Sequence, residues 1–425
     1  MRAGKLLRRG GAVLLGLLVA LGALELGLRR FAPQGVVTDW VRYEPAPGLV
    51  GYRMRPHQWV PGPLGGPING LGLRGVEPAS GGPRMLVLGD SFVFGAGVGP
   101  SETFVARLAP EVPFEVLNGG TPGYGTWREL AWLEQFGDAL ELDELVLCVF
   151  EGNDFQDNLE LRAPALAGGV LFGPADAGAE PGTLAALLVR SHVWRALTKR
   201  TRGGGESNPG GQAPGSTEPA NAGPGRAAGA AAGRADAVLD AFARAQAERL
   251  VVYVPEALEA ELDPSGERGP GVTSELGDGA QAVVRRVELG YAMTELALTG
   301  VAEWCAAREV ALTVVLIPDV LALDPDQRER ALLQNDDAGL REALASEVDL
   351  DRPRTALAAW CKALGVPFVD LAPAFKAETA ALRASEGGSD AGHEGLYLFG
   401  DSHWNARGHA LAAELLADAL GSRDD

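Results

Sequence analysis

Cysteine, lysine and histidine are scarce in this sequence, and each scarcity narrows the possible functions. Three cysteines spread over 425 residues provide neither a disulfide framework nor the close spacing of a zinc site. Four lysines and a formal net charge of −19 leave no concentrated basic face, which argues against a nucleic-acid partner. Five histidines limit the choice of a catalytic base. The sequence implies no metal and no organic cofactor.

An apolar stretch runs from Gly10 to about Leu28, close to the N-terminus. Its length is near the roughly 20 residues that cross a bilayer as a helix. More positive charge precedes the stretch than follows it, which predicts a cytoplasmic N-terminus with the rest of the chain outside. We expect residues 1–31 to be a short tail and a single-pass transmembrane anchor, with the main domain on the periplasmic side of the inner membrane. The alternative is a cleaved signal peptide and a secreted protein.

Residues 32–83 are rich in proline and glycine and contain no long periodic segment. We expect an extended lead-in, with short strands, that packs on the main domain.

From residue 84 onward, short apolar runs alternate with amphipathic segments typical of helices. The alternation predicts an α/β fold with a flavodoxin-like, doubly wound, parallel five-stranded sheet. The apolar runs that we interpret as buried strands are 85–89, 114–118, 144–150, 310–319 and 366–371. The main helices are expected at 126–137, 287–309, 354–365 and 406–420.

The pattern is interrupted between the third and the fourth predicted strand. Residues 201–236 are rich in Gly, Pro, Ala and Ser and contain no large apolar side chain, so they cannot offset the entropy of ordering. We predict that they are disordered within an insertion at 160–285, whose flanks are partly helical. The main domain then consists of 84–159 and 286–425.

Three polar segments follow the first three predicted strands. Ser91, in LGDSF, lies at a strand-to-helix turn, where a serine is exposed at the rim of the sheet. Gly123, in TPGYG, can direct its N–H into the cleft, and Asn153, in EGND, offers a side-chain amide to the same place. Each has a structural alternative, namely a helix N-cap, a tight turn and a turn-capping asparagine.

A fourth segment, LFGDSHW, precedes the last helix. In an extended segment, the two-residue spacing of Asp401 and His403 puts both side chains on one face. Asp401 can then orient the His403 ring, and His403 can take the proton of Ser91. The alternative is that Asp401 caps the helix while His403 packs. All four segments are expected at one edge of the sheet, where doubly wound folds bind ligands.

Together the four segments resemble the blocks of the SGNH (GDSL-like) hydrolase superfamily over roughly residues 65–421. The upstream NGLGLRG is similar to the lead-in of its membrane-anchored bacterial members. The resemblance implies Ser91 as the nucleophile and Asp401 and His403 as its catalytic partners. It also implies an oxyanion hole made of the Ser91 and Gly123 amides and the Asn153 side chain. One departure is the spacing D-x-H, where many members have D-x-x-H.

The resemblance implies a serine esterase that hydrolyses a carboxylic ester outside the cytoplasmic membrane. We expect the ester to be an O-acetyl ester. An O-acyltransferase acting on envelope or secreted polysaccharide is one alternative, because both reactions pass through the same acyl-serine. A non-catalytic polysaccharide-binding module is another. The expected partners are an acylated carbohydrate or lipid substrate and, through the N-terminal helix, the membrane.

The remaining histidines are weaker candidates for a catalytic base. His409 lies in the last predicted helix, where packing or surface exposure is the better interpretation. His393 lies in a glycine-rich loop, and His57 and His192 lie outside the sheet segments. Arg74 is a candidate contact for an anionic substrate, with a structural salt bridge as the alternative.

Overall fold

The computed structural model describes eleven strands and ten α-helices, together with their connections, in part of the chain. Within these residues no helix combines the length and the apolar character needed to cross a membrane. The described residues include only part of the predicted anchor. They include none of the segment 201–236 that was predicted to be disordered. The described residues are 15–16, 19–27, 41–62, 64–79, 81–159, 164–167, 170–174, 250, 252–254, 278–333, 341, 344, 348–385, 395–398 and 401–422.

The strands fall into one five-stranded sheet and three two-stranded sheets. In chain order they are β1 (Tyr43–Pro45), β2 (Tyr52–Met54), β3 (Gln58–Val60), β4 (Gly66–Ile68), β5 (Arg84–Gly89), β6 (Glu115–Gly120), β7 (Glu144–Phe150), β8 (Pro164–Ala167), β9 (Val170–Pro174), β10 (Ala311–Ile317) and β11 (Phe368–Asp370). The helices are α1 (Ser91–Phe94), α2 (Phe104–Leu108), α3 (Thr126–Phe136), α4 (Asp154–Asp157), α5 (Asp278–Ala306), α6 (Val320–Leu323), α7 (Pro325–Leu333), α8 (Arg352–Leu364), α9 (Ala372–Ser385) and α10 (Ala406–Gly421).

The five-stranded sheet has the spatial order β11-β10-β7-β5-β6, and every pairing in it is parallel. If these five strands are renumbered 1 to 5 along the chain, with β5 as strand 1, the order read from the β6 edge is 2-1-3-4-5. This is the flavodoxin-like order, and it confirms the predicted α/β sheet. The order reverses between β5 and β7, and ligands of such sheets bind where this reversal leaves a crevice at the carboxyl ends of the strands.

Both faces of the sheet are covered, because successive residues of a strand point to opposite sides. Leu86 and Leu88 of β5 face a core that includes residues of α3, α5 and α8. Met85 and Val87 face a second core that includes residues of α2, α9 and α10. All seven residues of β7 are buried, which explains why its sequence after Glu144 is a continuous apolar run rather than an alternating one.

The lead-in forms two antiparallel pairs, β1–β2 and β3–β4. Its Tyr43, Tyr52 and Met54 belong to the same core as β5. Part of the predicted insertion is also integral to the domain. Tyr253 is fully buried in that core, and the Tyr291 hydroxyl of α5 donates a hydrogen bond to the Val252 carbonyl at 2.9 Å.

The structure contains helices that the periodicity did not indicate, namely α6, α7 and α9. α6 is a single turn capped by Asp319, whose carboxylate accepts the Leu321 N–H. α7 begins with Pro325, a residue favoured in the first helical turn. α5 begins at Asp278, so the predicted boundary between 285 and 286 falls within this helix.

Candidate active site

Ser91 is the first residue of α1, directly after the carboxyl end of β5. The carboxylate of the preceding Asp90 caps this helix by accepting the Phe92 N–H at 2.8 Å. Asp90 therefore has the capping role that was the structural alternative for Ser91. Its second carboxylate oxygen, Oδ2, lies 3.4 Å from Ser91 Oγ, which is farther than the nearest histidine nitrogen described next. The sharp turn also needs Gly120 of the neighbouring strand, because a Cβ there would lie 1.9 Å from the Phe94 nitrogen.

The structure brings Ser91, His403 and Asp401 together in one hydrogen-bonded chain. His403 Nε2 lies 2.7 Å from Ser91 Oγ, and His403 Nδ1 lies 2.6 Å from Asp401 Oδ1. An ionised carboxylate can only accept, so Nδ1 carries the proton that faces Asp401. Nε2 of the neutral ring is then the acceptor for the Ser91 hydroxyl, which is the arrangement that a general base requires.

The local backbone at Asp401 differs from the extended segment that the sequence argument assumed. Asp401 Oδ1 also accepts the backbone N–H of His403 at 2.8 Å, so the two residues lie in a bend closed by the aspartate itself. The same oxygen therefore fixes both the backbone and the ring of His403. The D-x-H spacing suits this bend, because an aspartate side chain readily bonds the backbone N–H two residues on.

The triad is partly shielded from solvent. The side chain of Asp401 is 9% exposed and that of His403 is 22% exposed, so their interaction is less screened than at an open surface. The Phe92 ring lies 5.1 Å from the His403 ring. Trp404, fully buried against Phe92 and Phe375, holds the chain next to His403 in place.

Ser91 and Gly123 are the two residues whose backbone amides were predicted to donate to an oxyanion. Within the described residues, neither the Ser91 N–H nor the Gly123 N–H donates a hydrogen bond. Gly123 has a φ of +78°, a conformation that glycine adopts without the steric penalty of a side chain. Both predicted residues therefore offer an available N–H, as an oxyanion hole requires.

Asn153 follows β7 and precedes α4, and its side chain does not cap that helix. Its Nδ2 donates to Asp157 Oδ2 at 2.6 Å. Because Asp157 can only accept when ionised, this bond identifies which end of the amide is Nδ2. An amide nitrogen carries two hydrogens, so one is left for a ligand. The turn-capping alternative is not what the structure shows.

Sequence reasoning missed two carboxyls next to the site, Glu129 of α3 and Asp154 of α4. Both are completely buried, and burial first and the nearby Asp90 second raise their pKa values well above the ordinary range. Asp154 Oδ2 accepts the Phe150 N–H at 2.8 Å and closes the turn that carries Asn153. In the described part of the chain no cluster of His, Cys, Asp or Glu is arranged to hold a metal ion.

Arg74 lies beneath the site rather than in it, and it is only 6% exposed. Its guanidinium donates to the carbonyls of Gly95 at 2.8 Å, Leu64 at 2.8 Å and Val98 at 3.1 Å, and also to that of Phe94. Burial lowers its pKa to about 10. The salt bridge that was the structural alternative is not found among the described residues, where the guanidinium faces backbone carbonyls instead. Arg74 instead fixes the turn that follows the Ser91 helix.

His409 is buried in α10, as the packing interpretation predicted. Its Nδ1 accepts the Phe104 N–H at 3.2 Å, and burial lowers its pKa to about 3. The side chain of His57 is 75% exposed and is not part of the site. His192 and His393 lie outside the described residues.

Comparison with known proteins gives structural likeness at very low sequence identity. No family model and no curated protein matches the sequence. A gut microbial diltiazem-metabolizing enzyme is similar at 12% identity with a TM-score of 0.38, over 81% of this chain and 48% of that one. This chain thus spans about half the length of that enzyme.

Two further solved structures match over nearly their whole length. An acetyl xylan esterase is 9% identical with a TM-score of 0.34, over 79% of this chain and 99% of that one. A GDSL-like lipase from Bacteroides thetaiotaomicron is 10% identical with a TM-score of 0.32, over 80% of this chain and 88% of that one. Sequence identities and TM-scores this low do not indicate which reaction the protein catalyses. An activity can be proposed only from the residues of the site itself.

Proposed function

We propose that the protein is a serine esterase of the SGNH (GDSL-like) hydrolase type, which hydrolyses a carboxylic ester through an acyl-Ser91 intermediate. The observation that carries the proposal is the hydrogen-bonded chain from Ser91 Oγ to His403 Nε2 and from His403 Nδ1 to Asp401, at 2.7 Å and 2.6 Å. A hydroxyl is a weak nucleophile unless an adjacent base takes its proton, and this chain supplies such a base.

In the first half of the reaction, Ser91 Oγ attacks the carbonyl carbon of the ester while its proton moves to His403 Nε2. Asp401 stabilises the imidazolium that forms. The carbonyl oxygen becomes an oxyanion, which the amides of Ser91 and Gly123 and the second hydrogen of Asn153 Nδ2 can bind. The intermediate then breaks its bond to the alkoxy oxygen, which leaves as the alcohol with the proton from His403.

In the second half, water attacks the acyl-serine and gives one proton to His403. The second tetrahedral intermediate uses the same three donors and releases the carboxylic acid, and the proton returns to Ser91 Oγ. Each donor of such a hole typically contributes on the order of 10²–10³ in rate. Proton transfer by a positioned base contributes roughly 10²–10⁴.

For the substrate we propose an acyl ester, most simply an O-acetyl ester, on a carbohydrate or lipid outside the cytoplasmic membrane. The support is the N-terminal charge pattern, in which cationic residues precede an apolar stretch of near-spanning length. Such an anchor would hold the domain close to envelope glycans and to the bilayer surface.

The test is hydrolysis of p-nitrophenyl acetate by the purified full chain beside Ser91→Ala and His403→Ala. We expect turnover by the wild type and its near-complete loss in both variants. A folded wild type that neither turns over nor is labelled by a fluorophosphonate would contradict the proposal and favour a binding module. Transfer of acetyl to a glycan hydroxyl, with no free acetate formed, would indicate the acyltransferase.

A further inference from the structure

Tyr52, in the lead-in, contacts the loop that carries Gly123. The Tyr52 hydroxyl donates a hydrogen bond to the Pro122 carbonyl at 3.0 Å. In return, the hydroxyl of Tyr124 donates to the backbone carbonyl of Tyr52. Tyr52 is 3% exposed and Tyr124 is completely buried. Two reciprocal bonds, protected from water, therefore join β2 to the loop on either side of Gly123.

The bond to Pro122 bears directly on the Gly123 amide. The Pro122 carbonyl and the Gly123 N–H belong to one planar peptide unit, which is trans. In a trans peptide these two groups point in opposite directions, and rotation about the bond between them is restricted. Holding the carbonyl toward Tyr52 therefore aims the N–H away from Tyr52, and that N–H has no acceptor within the described residues.

The tyrosine ring is itself held in place on several sides. Its centroid lies 5.4 Å from that of Tyr43 and 5.3 Å from that of Tyr124, both in edge-to-face geometry. The Arg128 guanidinium lies 5.6 Å from the centre of the Tyr52 ring and also donates to the Val50 carbonyl at 3.3 Å. The hydroxyl thus projects from a rigid cluster toward Pro122.

Gly123 also lies very close to the Tyr52 side chain. A Cβ at position 123 would lie 2.9 Å from the Tyr52 hydroxyl. The absence of a side chain therefore lets the loop approach the tyrosine, in addition to permitting the positive φ.

We infer that Tyr52 is a positioning residue for the oxyanion hole, which orients the Gly123 N–H through the Pro122 carbonyl. The inference rests on the proposed esterase function. If Tyr52 has this role, the lead-in contributes to catalysis, because a residue outside the five-stranded sheet sets the direction of one of the three oxyanion donors.

The experiment compares the full-length wild type with Tyr52→Phe, which keeps the ring and removes the hydroxyl. We expect kcat for p-nitrophenyl acetate to fall about 10-fold with KM nearly unchanged, a part of the loss typical of deleting a donor. The matched control is Tyr291→Phe, which also removes a buried hydroxyl from a backbone carbonyl, that of Val252. We expect its kcat to stay within about 2-fold of the wild type.

A thionoester separates positioning from general destabilisation. Sulfur accepts hydrogen bonds weakly, so a thiono substrate gains less from an oxyanion hole than the oxygen ester does. Tyr52→Phe should therefore lower the oxygen-ester rate more than the thionoester rate, whereas a loss of folded protein lowers both equally.

The outcomes separate the inference from the proposed function. An active wild type together with an equally active Tyr52→Phe, or with equal losses on the two esters, would overturn the role of Tyr52 and leave the esterase function intact. A wild type that is inactive and is not labelled at Ser91 would overturn the esterase function and with it the role of Tyr52.

Discussion

His403 Nε2 lies 2.7 Å from Ser91 Oγ, although the two residues are 312 positions apart in the chain. Ser91 follows the first strand of the parallel sheet and His403 precedes its last helix. A doubly wound sheet collects the carboxyl ends of its strands at one edge, so segments from both ends of the domain meet there. The candidate site is thus assembled by topology, and its geometry makes specific predictions.

Asp401→Asn should lower kcat by roughly 10²–10⁴-fold with little change in KM. The asparagine can still accept the backbone N–H of His403, but it lacks the charge that stabilises the imidazolium. Steady-state kinetics on p-nitrophenyl acetate measures the effect.

The matched control is Asp349→Asn. Asp349 Oδ1 accepts the N–H of Asp351 two residues on, which is the same local bond in an exposed turn without a histidine. Its kinetics should match those of the wild type. Equal kinetics for the Asp401→Asn variant would show that Asp401 is not the residue that supports His403.

Asn153→Ala should lower kcat on the order of 10²–10³-fold, because it removes one oxyanion donor. Gln156→Ala, in the short helix α4 that Asn153 precedes, is the comparison and should keep its activity. The effect should appear in kcat rather than in KM, since the donor acts on charge that develops in the transition state. A variant that changes only KM would assign Asn153 to substrate binding instead.

Arg74→Lys should lower the free energy of unfolding by about 2–4 kcal/mol, because one ammonium group cannot reach four carbonyls spread around a planar guanidinium. Chemical denaturation measures this loss. Arg107→Lys is the control, since Arg107 is exposed and donates to a single carbonyl, that of Glu102. If Arg74→Lys instead left stability unchanged and raised KM for anionic esters alone, Arg74 would be a substrate contact.

Stability should fall in acid through His409. Its pKa is lowered to about 3 in the folded protein, against an ordinary value of 6.5. The unfolded chain therefore binds a proton that the folded protein does not, and the stabilisation present above pH 6.5 is lost as the pH falls toward 3. The slope is about 1.4 kcal/mol per pH unit over that interval.

The measurement is the difference in unfolding free energy between wild type and His409→Gln at several pH values from 7 to 5. The wild type should lose stability more steeply than the variant, whose side chain does not titrate. His57→Gln, which removes an exposed histidine side chain, is measured beside it as the matched control. Parallel curves for wild type and His409→Gln would contradict the account of His409.

Much of the sheet and the site could be predicted from sequence, for identifiable reasons. β7 is buried on both faces, so its sequence is a continuous apolar run that indicates a central strand. Ser91, Gly123 and Asn153 each follow a strand, and parallel topology then places them at one edge. Placing these residues at one edge needed only local patterns and a fold rule, whereas their catalytic roles were implied by the resemblance to the SGNH hydrolases.

The remaining features depend on tertiary contacts that leave no local pattern. Tyr52 lies in an aperiodic segment, and its bond to Pro122 joins residues 70 positions apart. Glu129 lies in an ordinary helical segment and is buried only because α3 packs against the sheet. Arg74 satisfies backbone carbonyls, which are present at every residue and therefore give no sequence signal for a partner.

The most direct test of the central claim is the site and rate of covalent labelling by a fluorophosphonate, mapped by peptide mass spectrometry. The account predicts one phosphonyl group on Ser91 of the wild type, no label in Ser91→Ala, and labelling at least about 100-fold slower in His403→Ala. Labelling of another residue, or an unchanged rate in His403→Ala, would contradict the assignment of Ser91 and His403 as nucleophile and base.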